Sequence, residues 1–322
     1  MNTFLARIGL GCGRLRAGAE ESNSRRVLDA AVECGIRYFD TAPSYGSESV
    51  LGRGLRGVRQ EVQVCTKVGL PGSEPDSAGR VRALAITAMR GVLPDGALGW
   101  LKRVRRVPVR TPPPQQRGYG NFDAASIRSS VQESLAKLGT DRLDCLMLHE
   151  PRMSDPTPEV EHVLRELVRE GIAARLGVGT GFQLQDLPAF GDVAQFTVGA
   201  TLVASGDSRI LIGHGLLRGF DPAVFGRCIL DSGILSKIPA LRRHVSEPLE
   251  MSAFLLSAVL TGTDIGRVLV STSSAARLRK FIAEAKDIFE EIRSRGSADI
   301  RVEFSNALRR YFSVMQSERK HG

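Results

Sequence analysis

Four ionisable residues stand at or just beyond the ends of short apolar runs. Asp40 lies in IRYFDTA, Lys67 in VQVCTKV, and His149 closes RLDCLMLH; Tyr45 follows Asp40 by five residues. Taken singly, each has an ordinary use: an aspartate pairs with a turn amide, a lysine extends its stem to solvent, a histidine closes a strand. Gathered on three successive strand ends, they form a proton-transfer set. A phenol ionises near pH 10 and is a poor acid at neutral pH. An adjacent ammonium stabilises the phenolate, so Lys67 is expected to lower the pKa of Tyr45. A carboxylate beside that ammonium keeps it charged. On this reading Asp40 holds Lys67, Lys67 tunes Tyr45, and Tyr45 gives or takes a proton. His149 donates to an oxygen and orients a carbonyl. The set polarises and protonates a carbonyl oxygen. It offers neither an acyl-transfer nucleophile nor a metal cage, so a hydride cofactor has to supply the two electrons.

Such a set needs strands that end side by side. Eight β-rich runs occur along the chain: ARIGLGC, IRYFDTA, VQVCTKV, RLDCLMLH, AARLGVG, VAQFTV, RILIG and RVLVSTS. They are apolar with little alternation, as suits parallel strands covered on both faces. Between them lie amphipathic stretches, including NSRRVLDAAVEC, AASIRSSVQESLAKLG, TPEVEHVLRELVREG and, last, SAARLRKFIAEAKDIFEEI. Gly139 and Gly171 follow the second and third of these as helix stops. Alternating strands and helices predict a closed (β/α)8 TIM barrel, parallel and eight-stranded. An open dinucleotide-binding sheet fits less well, because GLGCG lacks the third glycine of the G-x-G-x-x-G pattern and a helix directly after it. One barrel domain over residues 1–322 is expected. Two long inserted βα loops, about 70–120 and 214–248, rise over its carboxyl-end face.

The bulk numbers are compatible with that fold. The chain has 322 residues, 42% hydrophobic and 25% charged, with a formal net charge of +9. The basic cluster LKRVRRVPVR (Leu101–Arg110) lacks aromatic interleaving and any zinc-finger or helix-turn-helix spacing. It is read as a solvated loop, with no nucleic-acid partner expected. No apolar run reaches the roughly 18 to 20 residues that span a membrane. The N-terminal MNTFLARIGLGCG is too short and glycine-rich for a signal peptide core. A cytoplasmic location and no membrane partner are therefore expected. The five cysteines are scattered and form no C-x-x-C pair, so free thiols are expected rather than disulfides or a zinc site.

Three stretches carry a family resemblance: GIRYFDTAPSYGSESVLGRGL with Asp40, Tyr45, Glu48 and Gly52; VCTKVG with Lys67; and SVQESLAKLGTDRLDCLMLHEP with His149. In these the chain resembles the aldo-keto reductases, over nearly its whole length. The resemblance implies that Asp40, Tyr45, Lys67 and His149 match the family's catalytic tetrad, with Tyr45 as proton donor. It implies NADP(H), or NAD(H), bound in an extended pose across the barrel. The implied substrate is a small carbonyl compound or alcohol. A monomer or weak homo-oligomer is expected. Two alternatives are an aldose-type dehydrogenase that oxidises a sugar hydroxyl, and a nucleotide-sensing barrel with little turnover.

The chain also departs from the family pattern. A Ser-Asn pair after the fifth strand, which holds the nicotinamide amide, is replaced by Gly179 and Thr180, while Gln195 is retained. Restoring the pair is expected to raise turnover. Gly213 or His214 falls where a stacking tyrosine often stands. Ser271, Thr272 and Ser273 precede a helix and resemble the phosphate-binding stretch, with Arg277 placed for a 2′-phosphate and Phe281 where an adenine-contacting Asn is common. Trp100 and Tyr119, in the first long loop, are candidate walls of the substrate pocket.

Overall fold

The computed structural model describes residues 3–72, 120–181, 188–199, 207–295 and 298–321. The eight expected strands form: β1 Ile8–Gly11, β2 Tyr38–Asp40, β3 Gln63–Val68, β4 Cys145–His149, β5 Leu176–Gly179, β6 Val193–Thr197, β7 Ile210–His214 and β8 Arg267–Val270. Each pairs in parallel with the next, and β8 pairs with β1, closing the barrel. Around it run α1 Glu21–Glu33, α2 Glu48–Leu55, α3 Ala124–Leu138, α4 Pro158–Arg169, α5 Pro222–Asp231, α6 Pro248–Gly262, α7 Ala275–Arg295 and α8 Ala298–His321.

Local chemistry sets the helix ends. The Asp123 carboxylate accepts from Ser126 N at 2.9 Å at the start of α3, and Gly139 closes it with φ +62°. The Thr157 hydroxyl caps α4, with Pro158 in its first turn. The helices bury their apolar faces against the barrel in one continuous core that includes Leu28, Leu51, Leu164 and Phe254.

A second, smaller cluster fills the barrel itself: Tyr38, Cys65, Cys145, Met147, Val193, Ile212 and Leu269. Side chains alternate across a strand, so residues two apart share a face. Two positions further along six strands come Asp40, Lys67, His149 (two past Met147), Gln195, His214 and Ser271. The barrel interior thus passes from an apolar floor to a polar mouth at the carboxyl ends, where barrel enzymes keep their chemistry. Among the described residues, all five cysteines are free thiols, four of them buried. No helix among them is long and apolar enough to cross a membrane, and no cluster of metal-binding side chains occurs.

Two expectations need correction. The segment 214–248 is not simply a loop: it holds α5 and the short helical turns Ile234–Lys237 and Pro239–His244. The chain also does not end its helices with the one after β8. Helix α8 follows, burying Ile300, Phe304, Ala307, Leu308, Tyr311 and Phe312. Those spacings of three, four and seven are a helical stripe legible in the sequence. Of the first inserted loop, residues 73–119 lie outside the described residues, and with them Trp100, Tyr119 and the basic cluster.

Candidate active site

Strand β2 ends at Asp40, 3% exposed. Its neighbour β3 carries Lys67 on the inward face, 2% exposed. The ammonium donates to both carboxylate oxygens, at 2.7 and 2.8 Å, and to the Thr41 carbonyl at 3.1 Å. After β2 the chain makes a tight helical turn, Pro43–Tyr45, which Gly46 ends with φ +67°. That turn returns Tyr45 over the mouth, with Lys67 Nζ 5.0 Å from its ring centroid. His149, at the end of β4, meets Tyr45 edge to face, with ring centroids 5.6 Å apart and planes at 89°. The four expected residues therefore converge.

Their electrostatics differ from expectation in one respect. Burial works against the Lys67 charge, but Asp40 outweighs it, helped by Tyr45 and Cys65, and the ammonium pKa lies above its ordinary value. The Tyr45 pKa is raised, not lowered. Burial is the largest cause; Lys67 pulls it down, and Asp40 adds to the rise. The expected lysine effect is present, but desolvation exceeds it, and desolvation is a magnitude that residue types do not reveal.

A cavity of about 580 Å³ opens beside Tyr45. Asp40, Thr180, Gln195, His214, Ser271 and Phe281 line it, together with Arg14 from the β1 turn and Leu216, Leu217 and Arg218 from the chain after β7. Gln195 is buried, and its side-chain oxygen has no hydrogen-bond partner. Thr180 instead turns its hydroxyl to the Gln195 carbonyl at 3.4 Å. His214 Nε2 lies 2.9 Å from the Thr180 carbonyl and donates to it. Burial is the main cause of the lowered His214 pKa.

At Gly179 the absence of a side chain is used. A Cβ there would stand 2.8 Å from Gln195 Oε1 and 3.2 Å from Lys67 Cε. The Gln195 and Lys67 side chains already occupy the space a serine would need. Restoring the Ser-Asn pair therefore crowds the ion pair, against the gain expected from sequence. Gly11 plays a like part on β1, where a Cβ would stand 2.5 Å from Ser271 Oγ.

Beyond β8, Ser271 Oγ donates to the Gly11 carbonyl at 2.8 Å, and Thr272 Oγ1 accepts from Ser274 N at 3.1 Å. The Ser273 carbonyl accepts from Asn23 Nδ2. The cap of α7 is Ser274, one residue past the expected triplet, whose hydroxyl accepts from Arg277 N at 3.3 Å. Arg277 is exposed on the first turn of α7.

Sequence reasoning missed three features. Ser44 lies 3.4 Å from His149 Nδ1. Glu150 has φ +52°, left-handed backbone that is unusual for a glutamate. Arg14 and Arg218 bring positive charge to the cavity. The spacing of Arg218 from β7 was a usable signal for the last; the others depend on backbone torsion and turn geometry.

The fold and this mouth define a closed α/β barrel with a buried ion pair, a phenol and an imidazole gathered at its carboxyl-end mouth. The model of the aldo/keto reductase family matches residues 7–188, more than half of the chain, and the chain belongs to that family. It is 31% identical over 175 residues to D-threo-aldose 1-dehydrogenase from a Pseudomonas species, covering 52% of this chain and 47% of that protein. It is 28% identical over 186 residues to the NADH-specific methylglyoxal reductase of Escherichia coli K12, covering 54% and 48%. The chain spans about half the length of the curated relatives it matches. Among solved structures, aldo-keto reductase AKR11C1 from Bacillus halodurans, holo form, superposes with a TM-score of 0.56 at 18% identity, covering 91% and 92%. An aldo-keto reductase from Klebsiella pneumoniae in complex with NADPH gives 0.54 at 18%, covering 90% of each chain. At these identities the structures speak for the fold.

Proposed function

We propose that the protein is an NADP(H)-dependent oxidoreductase that interconverts a small carbonyl compound and its alcohol, with Tyr45 as proton donor. One observation carries this reading: a buried Lys67–Asp40 ion pair beneath the Tyr45 ring, with His149 at its edge, opening on a cavity of about 580 Å³. The raised Tyr45 pKa suits a donor that stays protonated at neutral pH. Lys67 stabilises the phenolate left when the proton moves to the substrate oxygen, and Asp40 keeps Lys67 charged and in place. His149 orients that oxygen.

The residues present fit a nicotinamide dinucleotide. The unpaired Gln195 oxygen is an acceptor for an amide N–H. The amides at the start of α7, with Ser271 to Ser274 and Arg277, suit a phosphate. Arg14 and Arg218 add positive charge to the cavity wall. Such a cofactor supplies or takes up hydride.

The similarity to D-threo-aldose 1-dehydrogenase favours testing the oxidative direction as well. Absorbance of NADPH is followed with a panel of aldehydes and ketones, and of NADP⁺ and NAD⁺ with a panel of aldoses. Turnover in either panel is expected. Tight cofactor binding without turnover in both would favour a nucleotide-sensing barrel.

A further inference from the structure

We propose that Tyr311 and Gln316, on the C-terminal helix α8, are positioning residues: they tie down the two chain segments that leave β6 and β7, and so hold the cavity wall in place for the cofactor. This rests on the function proposed above, in which that cavity takes a nicotinamide dinucleotide.

The wall beyond β7 is irregular backbone. Leu216, Leu217 and Arg218 line the cavity. Within the segment, Arg218 N donates to the Gly215 carbonyl at 2.9 Å and Phe220 N to the Leu217 carbonyl at 3.4 Å. The next amide, Asp221 N, donates instead to the Tyr311 hydroxyl oxygen at 3.3 Å. A backbone amide only donates, so the direction of this bond is fixed. Tyr311 is buried, and its ring meets Phe220 and Phe225 edge to face, with centroids 6.2 and 5.4 Å away. Asp221 also caps α5, its carboxylate accepting from Ala223 N and Val224 N. The tie therefore sits where the wall segment passes into a helix.

A second tie lies further along α8. Gln316 Nε2 donates to the Gly199 carbonyl, beyond the end of β6. Gly199 has φ +94°, and a Cβ there would stand 2.6 Å from Phe312 Cδ1, so the Phe312 ring packs directly on the glycine backbone. Val198, the residue before it, donates its amide to the His214 carbonyl at 2.9 Å. His214 lines the cavity and begins the wall segment. One helix thus fastens the wall at both ends, through Gly199 at His214 and through Asp221 at the far side. Irregular segments open locally more readily than barrel strands, so each tie favours the closed arrangement. A ligand that binds only that arrangement loses affinity as its population falls.

The test follows hydrogen–deuterium exchange of full-length, cofactor-free protein, beside a fluorescence titration of NADPH. Tyr311→Phe keeps the buried ring and removes only the hydroxyl. Gln316→Ala alters an exposed side chain and leaves the core intact. Tyr311→Phe should speed exchange in residues 215–221, and Gln316→Ala in residues 197–199. The expected factor is about two- to tenfold, the range for one lost hydrogen bond. Exchange in β2, β3 and β4 should match the parent, which a general loss of stability would not allow. The NADPH Kd should rise about twofold or more in each variant, with kcat at saturating cofactor unchanged. Unchanged exchange in the tied segments, an equal rise in β2 to β4, or an unchanged Kd would overturn the proposal. A parent that fails to bind NADPH would instead count against the function proposed above, and the exchange data alone would then decide whether the ties exist.

Discussion

Lys67 and Asp40 bury a full ion pair at 2% and 3% exposure, and the value of that pair lies in both charges being present. Removing one partner leaves the other charge buried, which typically costs about 3 to 5 kcal/mol. Lys67→Met should therefore lower stability by an amount of that order, read from urea midpoints, as well as abolish turnover; an unchanged midpoint would contradict the pairing. Gly179→Ser should also be harmful, since its Cβ would press on Gln195 Oε1 and Lys67 Cε. Overpacking of this kind costs about 1 to 3 kcal/mol. Thermal melting with single-turnover kinetics checks this, and a faster variant would revive the sequence expectation. His214 gives a pH prediction. Burial lowers its folded pKa below the ordinary value near 6.5. The unfolded chain then takes up the proton first as pH falls. The stability from burying the neutral ring is present above about pH 6.5 and is lost as pH drops toward the folded value. His214→Gln should flatten the fall in stability between pH 7 and 5; parallel profiles for parent and variant would count against it.

The elements were legible because buried parallel strands read as short apolar runs and helices as amphipathic stretches between them. All eight runs became strands, and the inward face of six of them reads as an apolar residue followed two places on by a polar one. The strand-end residues were visible because each is an ionisable group closing an apolar run. What the sequence hid was interaction magnitude and torsion. The sign of the Tyr45 shift depends on how deeply the phenol sits. Gly179 looked like two lost hydrogen bonds, whereas its neighbours had filled the gap. At the start of α7 the Ser274 hydroxyl accepts from Arg277 N and caps the helix, just past the Ser271–Ser273 stretch. Ser274→Ala should cost about 1 kcal/mol as a lost cap. Arg277, one turn into the same helix, should matter to cofactor choice and not to the helix. A charge-assisted contact to phosphate is worth about 1.5 to 3 kcal/mol. The parent should therefore bind NADPH more tightly than NADH, and Arg277→Ala should erase most of that difference. Equal affinities in the parent would refute the assignment.

At the scale of the molecule, the barrel separates two tasks. Its floor, with Tyr38, Cys65, Met147 and Leu269, is an apolar plug. Its mouth collects ionisable groups from β2, β3 and β4 on one side, and Gln195 of β6 with His214 of β7 on the other. β1 and β5 present glycines at Gly11 and Gly179, which leave room between the two sides. The family assignment and the mouth geometry agree, while substrate choice belongs to the loops that vary most within such barrels. The central claim is that Tyr45 moves the proton in a hydride-transfer reaction. The direct measurement is NADPH-dependent reduction of a reactive aldehyde, by parent and Tyr45→Phe, beside a fluorescence titration of NADPH. Loss of an acid-base group costs about a hundredfold or more in rate. The account predicts turnover by the parent, a fall of at least about that size in Tyr45→Phe, and a nearly unchanged cofactor Kd. Near-parental turnover in Tyr45→Phe would contradict it.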